Sequence, residues 1–240
     1  MSGLAEGPID GQVQPAVGIT PSRPLWIGIT GNIACGKSLV SATLAAAGVE
    51  AIDADAVYAS LVTPDSPLLD RLVARFGPGI VGPGGGLDRR VLAGIVFSDQ
   101  SALADLDRIV RPPVVAEILR RAESTTRSVV AIDAIKLIES GLADRCDEVW
   151  VVTCDPETQL ARLMARNRLD RESAVRRIAA QSSVADKLTR ADRVIDNGGS
   201  PEETRRLVEI ALQAVVDAYT ASGRESKPRQ RDDGRDNSFG

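Results

Sequence analysis

The sequence predicts an α/β protein with a parallel sheet flanked by helices. Three observations predict it. Short apolar runs alternate with longer helical stretches from residue 25 to about residue 220. The first apolar run leads into a glycine-rich loop and then a helix. Strands separated by helices need crossover connections, and crossovers make neighbouring strands parallel.

The elements follow in order. Residues 25–30 (LWIGIT) read as a buried strand. A helix is expected over 38–47, with Val40, Leu44 and Ala47 on one face and Gly48 as its stop. Further strands are expected at 49–52, 129–132, 148–154 and 193–195, so that the sheet has five. Helices fill the gaps at 67–76, 89–97, 101–121, 156–168, 171–187 and 201–220. Residues 78–86 (PGIVGPGGG) form a surface turn whose glycines lack the dinucleotide-binding spacing, so no phosphate role follows. Residues 1–23, rich in Gly, Pro and Ser, and residues 222–240, with near-balanced charge, read as disordered tails around one domain at 24–221.

Composition narrows the function. A chain of 240 residues, 43% hydrophobic, can bury one sizeable core with room for a smaller subdomain. A formal net charge of −4 and 3% aromatic residues give neither the basic footprint nor the stacking platform of a nucleic-acid binder. The three cysteines, Cys35, Cys146 and Cys154, build no disulfide framework. The absence of histidine removes Ser-His and Cys-His nucleophiles and argues against zinc. No apolar run approaches the ~18 residues of a membrane span, and the N-terminus lacks the basic start and apolar run of a signal peptide. A cytoplasmic monomer with no membrane or nucleic-acid partner is expected.

Gly31-Asn32-Ile33-Ala34-Cys35-Gly36-Lys37-Ser38 fits G-x-x-x-x-G-K-[ST], with a strand before it and a helix after it. The two glycines let backbone N–H groups wrap an anion, and the helix start adds its positive dipole end. Lys37 reaches the β- and γ-phosphates of a bound ATP, and the Ser38 hydroxyl is an Mg²⁺ ligand. Cys35 is either a small filler whose backbone binds or a redox switch. Asp53 and Asp55 follow the second strand, which delivers them to the rim that receives the loop. Asp53 reads as a helix N-cap. Asp55 reads as the carboxylate that orients an attacking hydroxyl and takes its proton.

Beyond the loop, several blocks appear in order: VEAIDADAV at 49–57, LDRRVLAGIVF at 87–97, IESGLADRCDEVWVV at 138–152, residues 159–181, and ADRVIDNGG at 191–199. From Trp26 to Asn197 the chain resembles the dephospho-coenzyme A kinase family. The resemblance implies a phosphate-loop nucleotide-binding core with a five-stranded parallel sheet, a helical substrate subdomain (about 56–121) and a mobile lid (about 160–187). It implies MgATP-dependent phosphorylation of the ribose 3′-hydroxyl of dephospho-coenzyme A, the last step of coenzyme A synthesis. The family's catalytic aspartate falls on Asp55 and its lid arginine on Arg166. The main ATP-loop contacts fall on residues 34–39, which adds Leu39.

The residues beside the resemblance agree with it in part. Arg162 and Arg166 are four apart and share a helical face in an arginine-rich stretch. A lid arginine supplies positive charge to the γ-phosphate once closed. Arg89 stands either at a substrate phosphate or in a salt bridge. Asn197 stands either against adenine or in an ordinary Asn-Gly-Gly turn, and Gln181 is a weaker candidate. Asp133, at a strand end, is expected to hold Mg²⁺ through water. The loop departs from the family's Gly-Gly-Ile-Gly-Ser-Gly-Lys-Ser-Thr at Asn32, Ala34, Cys35 and Leu39. Arg111 replaces the family's histidine before Pro112, and Ile135-Lys136-Leu137 replaces Pro-Leu-Leu, which places Arg111 and Lys136 at the expected acceptor cleft. The alternatives are a related kinase for another small metabolite, a nucleotide-dependent switch and an inactive scaffold. The missing guanine signature Asn-Lys-x-Asp speaks against the switch, and intact Gly36-Lys37-Ser38 with Asp55 speaks against the scaffold.

Overall fold

Strand β1 (Leu25–Thr30) is buried on both faces along its length. That is why its sequence is a continuous apolar run rather than an alternating one. The structure, a computed structural model, describes residues 23–222. The two expected tails lie outside these residues except for their inner ends. Arg23 belongs to the folded body, because its guanidinium holds Asp147 at 2.7 Å and lies over the Trp26 ring. Ser222 closes the last helix.

β1 leads into helix α1 (Lys37–Ala46), then β2 (Glu50–Asp53) and α2 (Ala54–Leu61). A helical excursion follows: α3 (Pro67–Phe76), α4 (Arg89–Val96) and α5 (Gln100–Ser124). The chain then returns through β3 (Val129–Asp133) and β4 (Glu148–Thr153) to α6 (Pro156–Asn167), α7 (Arg171–Ala179) and α8 (Val184–Leu188). It ends with β5 (Arg193–Asp196) and α9 (Pro201–Ala221). The five strands lie in the order β2-β3-β1-β4-β5, and every pairing is parallel, as expected.

That order makes the carboxyl end of β1 a switch point, with β3 on one side and β4 on the other, where ligands of such sheets sit. One face of the sheet packs Ile52, Val130, Ile132 and Val151 against Ile118 of α5. The other packs Ile27, Ile29, Trp150 and Val152 against Val40 and Leu44 of α1 and Val208 of α9. The helices α3 to α5 keep an apolar cluster of their own around Leu72, Ile80, Leu92 and Ile109. A smaller cluster, with Leu160, Leu163 and Ala174, joins α6 to α7.

Two expectations change, and a third holds against local propensity. Residues 54–61, given no element from sequence, form α2, capped by Asp53, whose carboxylate accepts from the N–H groups of Asp55 and Ala56. The single helix expected over 171–187 is two, α7 and α8. Ser183 caps the second through the Ala185 N–H, and serines offer the backbone such local alternatives to a continuing helix. Helix α5 runs through Pro112 and Pro113 although each removes an N–H donor. Its flanking residues Ile109, Val114 and Ile118 are buried, and that packing holds it together.

Candidate active site

The loop after β1 closes tightly around its own backbone. Gly31 has φ 152°, and a Cβ there would stand 2.4 Å from the Val152 carbonyl oxygen of β4. Gly36 has φ 88°, and a Cβ there would stand 1.8 Å from Asn197 Nδ2. Ala34 also takes positive φ, 62°, at the position where the family has glycine. α1 starts directly behind, at Lys37, with no side-chain cap and no acidic residue in its first turn. The N–H groups of Lys37 and Ser38 are thus left for an anion, while that of Leu39 donates to Gly36.

A cleft of about 780 Å³ opens over this loop. Asn32, Ile33, Ala34, Gly36, Lys37 and Ser38 line one wall; Asp53, Asp55 and Asp133 line another; Arg162 and Arg166 of α6 close the third. The acidic wall comes from register. Asp53 at the end of β2 pairs with Asp133 at the end of β3, and Asp133 pairs with Ile29 of β1. Ser41 of α1 donates to Asp133 Oδ2 at 2.6 Å. Burial pushes the Asp133 carboxyl above its usual range, and Asp53 and Asp55 add to that, while the Ser41 hydrogen bond and Lys37 oppose it.

A second cavity of about 310 Å³ adjoins the first, and Asp55, Ala134 and Ile135 line both. Its floor is apolar, with Tyr58, Val110, Val114 and Ile118. Arg111 and Lys136 line its rim. Both are held by one carboxylate that sequence reading passed over. Asp107 accepts from Lys136 Nζ at 2.6 and 2.8 Å and from Arg111 at 3.4 Å.

Five expected site residues line neither cavity: Cys35, Leu39, Asn197, Arg89 and the weaker candidate Gln181. Cys35 is buried behind the loop. Its neighbour Cys154 has a thiol pushed up to about 12, by burial first and then by Cys35, and therefore stays a thiol at neutral pH. Leu39 is half-buried on α1 and donates its N–H to Gly36. Asn197 is spent on the protein. Its Nδ2 donates to the Cys35 carbonyl at 2.7 Å, its Oδ1 accepts from Thr204, and its carbonyl accepts from Arg162. It therefore braces the loop from β5 rather than presenting its amide to a base. Arg89 lies over the Tyr58 ring, 5.5 Å from its centroid, behind the second cavity. Gln159 and Gln181 engage the loop as well. Gln159 donates to the Ile33 carbonyl at 2.8 Å, and Gln181 accepts from the Ile33 N–H at 2.7 Å. Ser41, Gln159 and Lys187 had no signal in the sequence beyond helical spacing.

The arrangement can hold a polyphosphate on the loop and bring a hydroxyl from the second cavity to Asp55. A model of the family described as dephospho-CoA kinase matches residues 25–203. The chain belongs to the dephospho-CoA kinase family. Within the family, a dephospho-CoA kinase of Symbiobacterium thermophilum is 50% identical over 192 residues, 79% of this chain and 80% of that one. One of Geobacter sulfurreducens is 46% identical over 187 residues, 76% of this chain and 94% of that one. The crystal structure of a Thermus thermophilus protein matches 82% of this chain and 98% of its own, at 34% identity and a TM-score of 0.69. The dephospho-CoA kinase of Campylobacter jejuni matches 81% of this chain and 98% of its own, at 25% identity and a TM-score of 0.61.

Proposed function

We propose that this family member transfers the γ-phosphoryl group of ATP to the ribose 3′-hydroxyl of dephospho-coenzyme A, giving coenzyme A and ADP. The observation that carries the reading is Asp55, which lines both cavities at their junction. One cavity has the phosphate loop; the other has an apolar floor and a cationic rim suited to a long, partly apolar acceptor bearing phosphates.

In the reaction, Asp55 orients the acceptor hydroxyl and takes its proton as the new oxygen–phosphorus bond forms. The bond from the γ-phosphorus to the bridging oxygen breaks, and ADP leaves. Lys37 and Arg166 stabilise the charge on the transferring oxygens, and the loop N–H groups hold the β-phosphate. Arg111 and Lys136 meet the acceptor's phosphates, with Arg89 setting the Tyr58 wall behind them. The oxygen donors Ser38 and Asp133 suit Mg²⁺, which takes one or two side chains plus phosphates and waters. They would hold it, Asp133 through water. Bound there, Mg²⁺ would supply charge neutralisation for the phosphates. The helices α3 to α5 serve as the substrate subdomain and α6 to α8 as the lid.

No helix among the described residues is long and apolar enough to cross a membrane. On this reading the enzyme works on two small molecules in the cytoplasm, as a monomer. The test is an assay with MgATP and either dephospho-coenzyme A or its 3′-deoxy analogue. Coenzyme A should form from the first and no phosphorylated product from the second. ADP release at the same rate with dephospho-coenzyme A, with the analogue and with neither would sink the reading.

A further inference from the structure

Lys187 of α8 is 2% exposed, although lysines almost never bury completely without a reason. Its Nζ donates to the Ile135 carbonyl at 2.7 Å and stands 3.6 Å from Glu139 Oε1. Burial lowers the pKa of the ammonium; Glu139 opposes that and Lys37 adds to it. The Ile135 carbonyl takes a second donor from β1, the hydroxyl of Thr30, at 3.0 Å. The approach to Lys187 is tied in as well. Ser182 donates to Glu139 at 2.7 Å, and its carbonyl accepts from Asn32 of the phosphate loop at 3.3 Å. An apolar side chain would fill the space under α8 without the desolvation cost of a buried ammonium. What the ammonium adds is a fixed carbonyl at Ile135, which lines both cavities alongside Asp55.

We infer that Lys187 is a positioning residue for phosphoryl transfer: by pinning Ile135 it fixes the wall shared by the two cavities, so that the acceptor hydroxyl, rather than water, meets the γ-phosphate. The inference rests on the proposed kinase reaction. Lys187 touches no reacting atom in it and acts through the backbone of residues 134–136.

The test compares the full-length wild type with Lys187→Met and Lys187→Arg, given MgATP and dephospho-coenzyme A. Coenzyme A formed and total ADP released are measured together, beside the melting temperature. Wild type should release ADP and coenzyme A in nearly equal amounts. In Lys187→Met, kcat/KM for transfer should fall ~10- to 100-fold, the size of effect that a small misplacement produces. Acceptor-independent ADP release should change less than about 3-fold, so ADP outruns coenzyme A. Lys187→Arg should restore part of the coupling. Transfer and hydrolysis falling in parallel would mean that Lys187 only holds the fold, and unchanged transfer would mean that it positions nothing; either overturns the inference. If Lys187→Met does not fold, Thr30→Val removes the other donor to the same carbonyl. It should produce the same uncoupling, at smaller size, and parallel loss or no change there is equally fatal. A wild type that makes no coenzyme A would overturn the kinase reading itself, and this inference with it.

Discussion

Asp133 shows what the site costs at the level of one residue. Its carboxyl is raised above the usual value of 3.8 because it is buried, beside Asp53 and Asp55. A carboxyl raised on folding contributes stability below the unfolded pKa and loses it as pH rises through the folded one. At neutral pH, ionised Asp133 therefore weighs against the fold. Asp133→Asn keeps an acceptor for Ser41 and carries no charge. It should raise the melting temperature at pH 7 to 8, with the gain vanishing below about pH 4, and should cost ~10-fold or more in turnover if Asp133 serves the proposed Mg²⁺ site. Calorimetry across that pH range, beside the kinase assay, checks both signs. Gly36 makes the opposite case. Its φ of 88° and the 1.8 Å approach of Asn197 Nδ2 leave no room for a methyl group. Gly36→Ala should destabilise by about 2 kcal/mol or more, from left-handed strain plus the lost Asn197 contact; urea unfolding measures it. The need for glycine at 36 was readable in the motif. The partner that enforces it, 161 positions downstream at Asn197, was not, because an Asn-Gly-Gly string looks the same in any turn.

At the level of elements, the strands and the loop were legible because their signals are local: apolar runs, glycines and a helix start within a few residues. α2 was not. Its apolar residues Ala54, Val57, Tyr58 and Leu61 do recur at helical spacing, but the helix is only eight residues long and this stripe covers barely two turns. Its other evidence in the sequence is Asp53, read as a cap without the helix that it caps. Since α2 carries Asp55 in its first turn, the cap also serves the site. Asp53→Ala should cost about 1 kcal/mol in stability and lower turnover more than ATP affinity; chemical denaturation and steady-state kinetics separate the two. The break between α7 and α8 was hidden for a related reason. The turn at 181–183 exists to reach the phosphate loop through Gln181 and Ser182, and a tertiary contact leaves no period in the sequence.

For the whole molecule, five parallel strands in alternation with helices could be foreseen, and with them the rim where loop and carboxylates meet. The junction of two cavities could not. It depends on how α5 and residues 134–136 pack over Asp55, and on Asp107 holding both rim cations. Because the loop, α1, the ends of β2 and β3, and α6 all line the first cavity, nucleotide binding should stabilise the entire fold. ATP at one hundred times its Kd should add ~2.7 kcal/mol, roughly 5–10 °C in Tm for a chain of this size. Lys37→Ala should lose most of that shift in a thermal scan. The central claim is that Asp55 joins an ATP site to an acceptor site. The measurement that tests it most directly is coenzyme A formed from MgATP and dephospho-coenzyme A by wild type and Asp55→Asn. The prediction is steady turnover by wild type and a loss of ~10²- to 10⁴-fold in kcat for Asp55→Asn, with ATP binding retained. Near-normal turnover by Asp55→Asn would contradict the account.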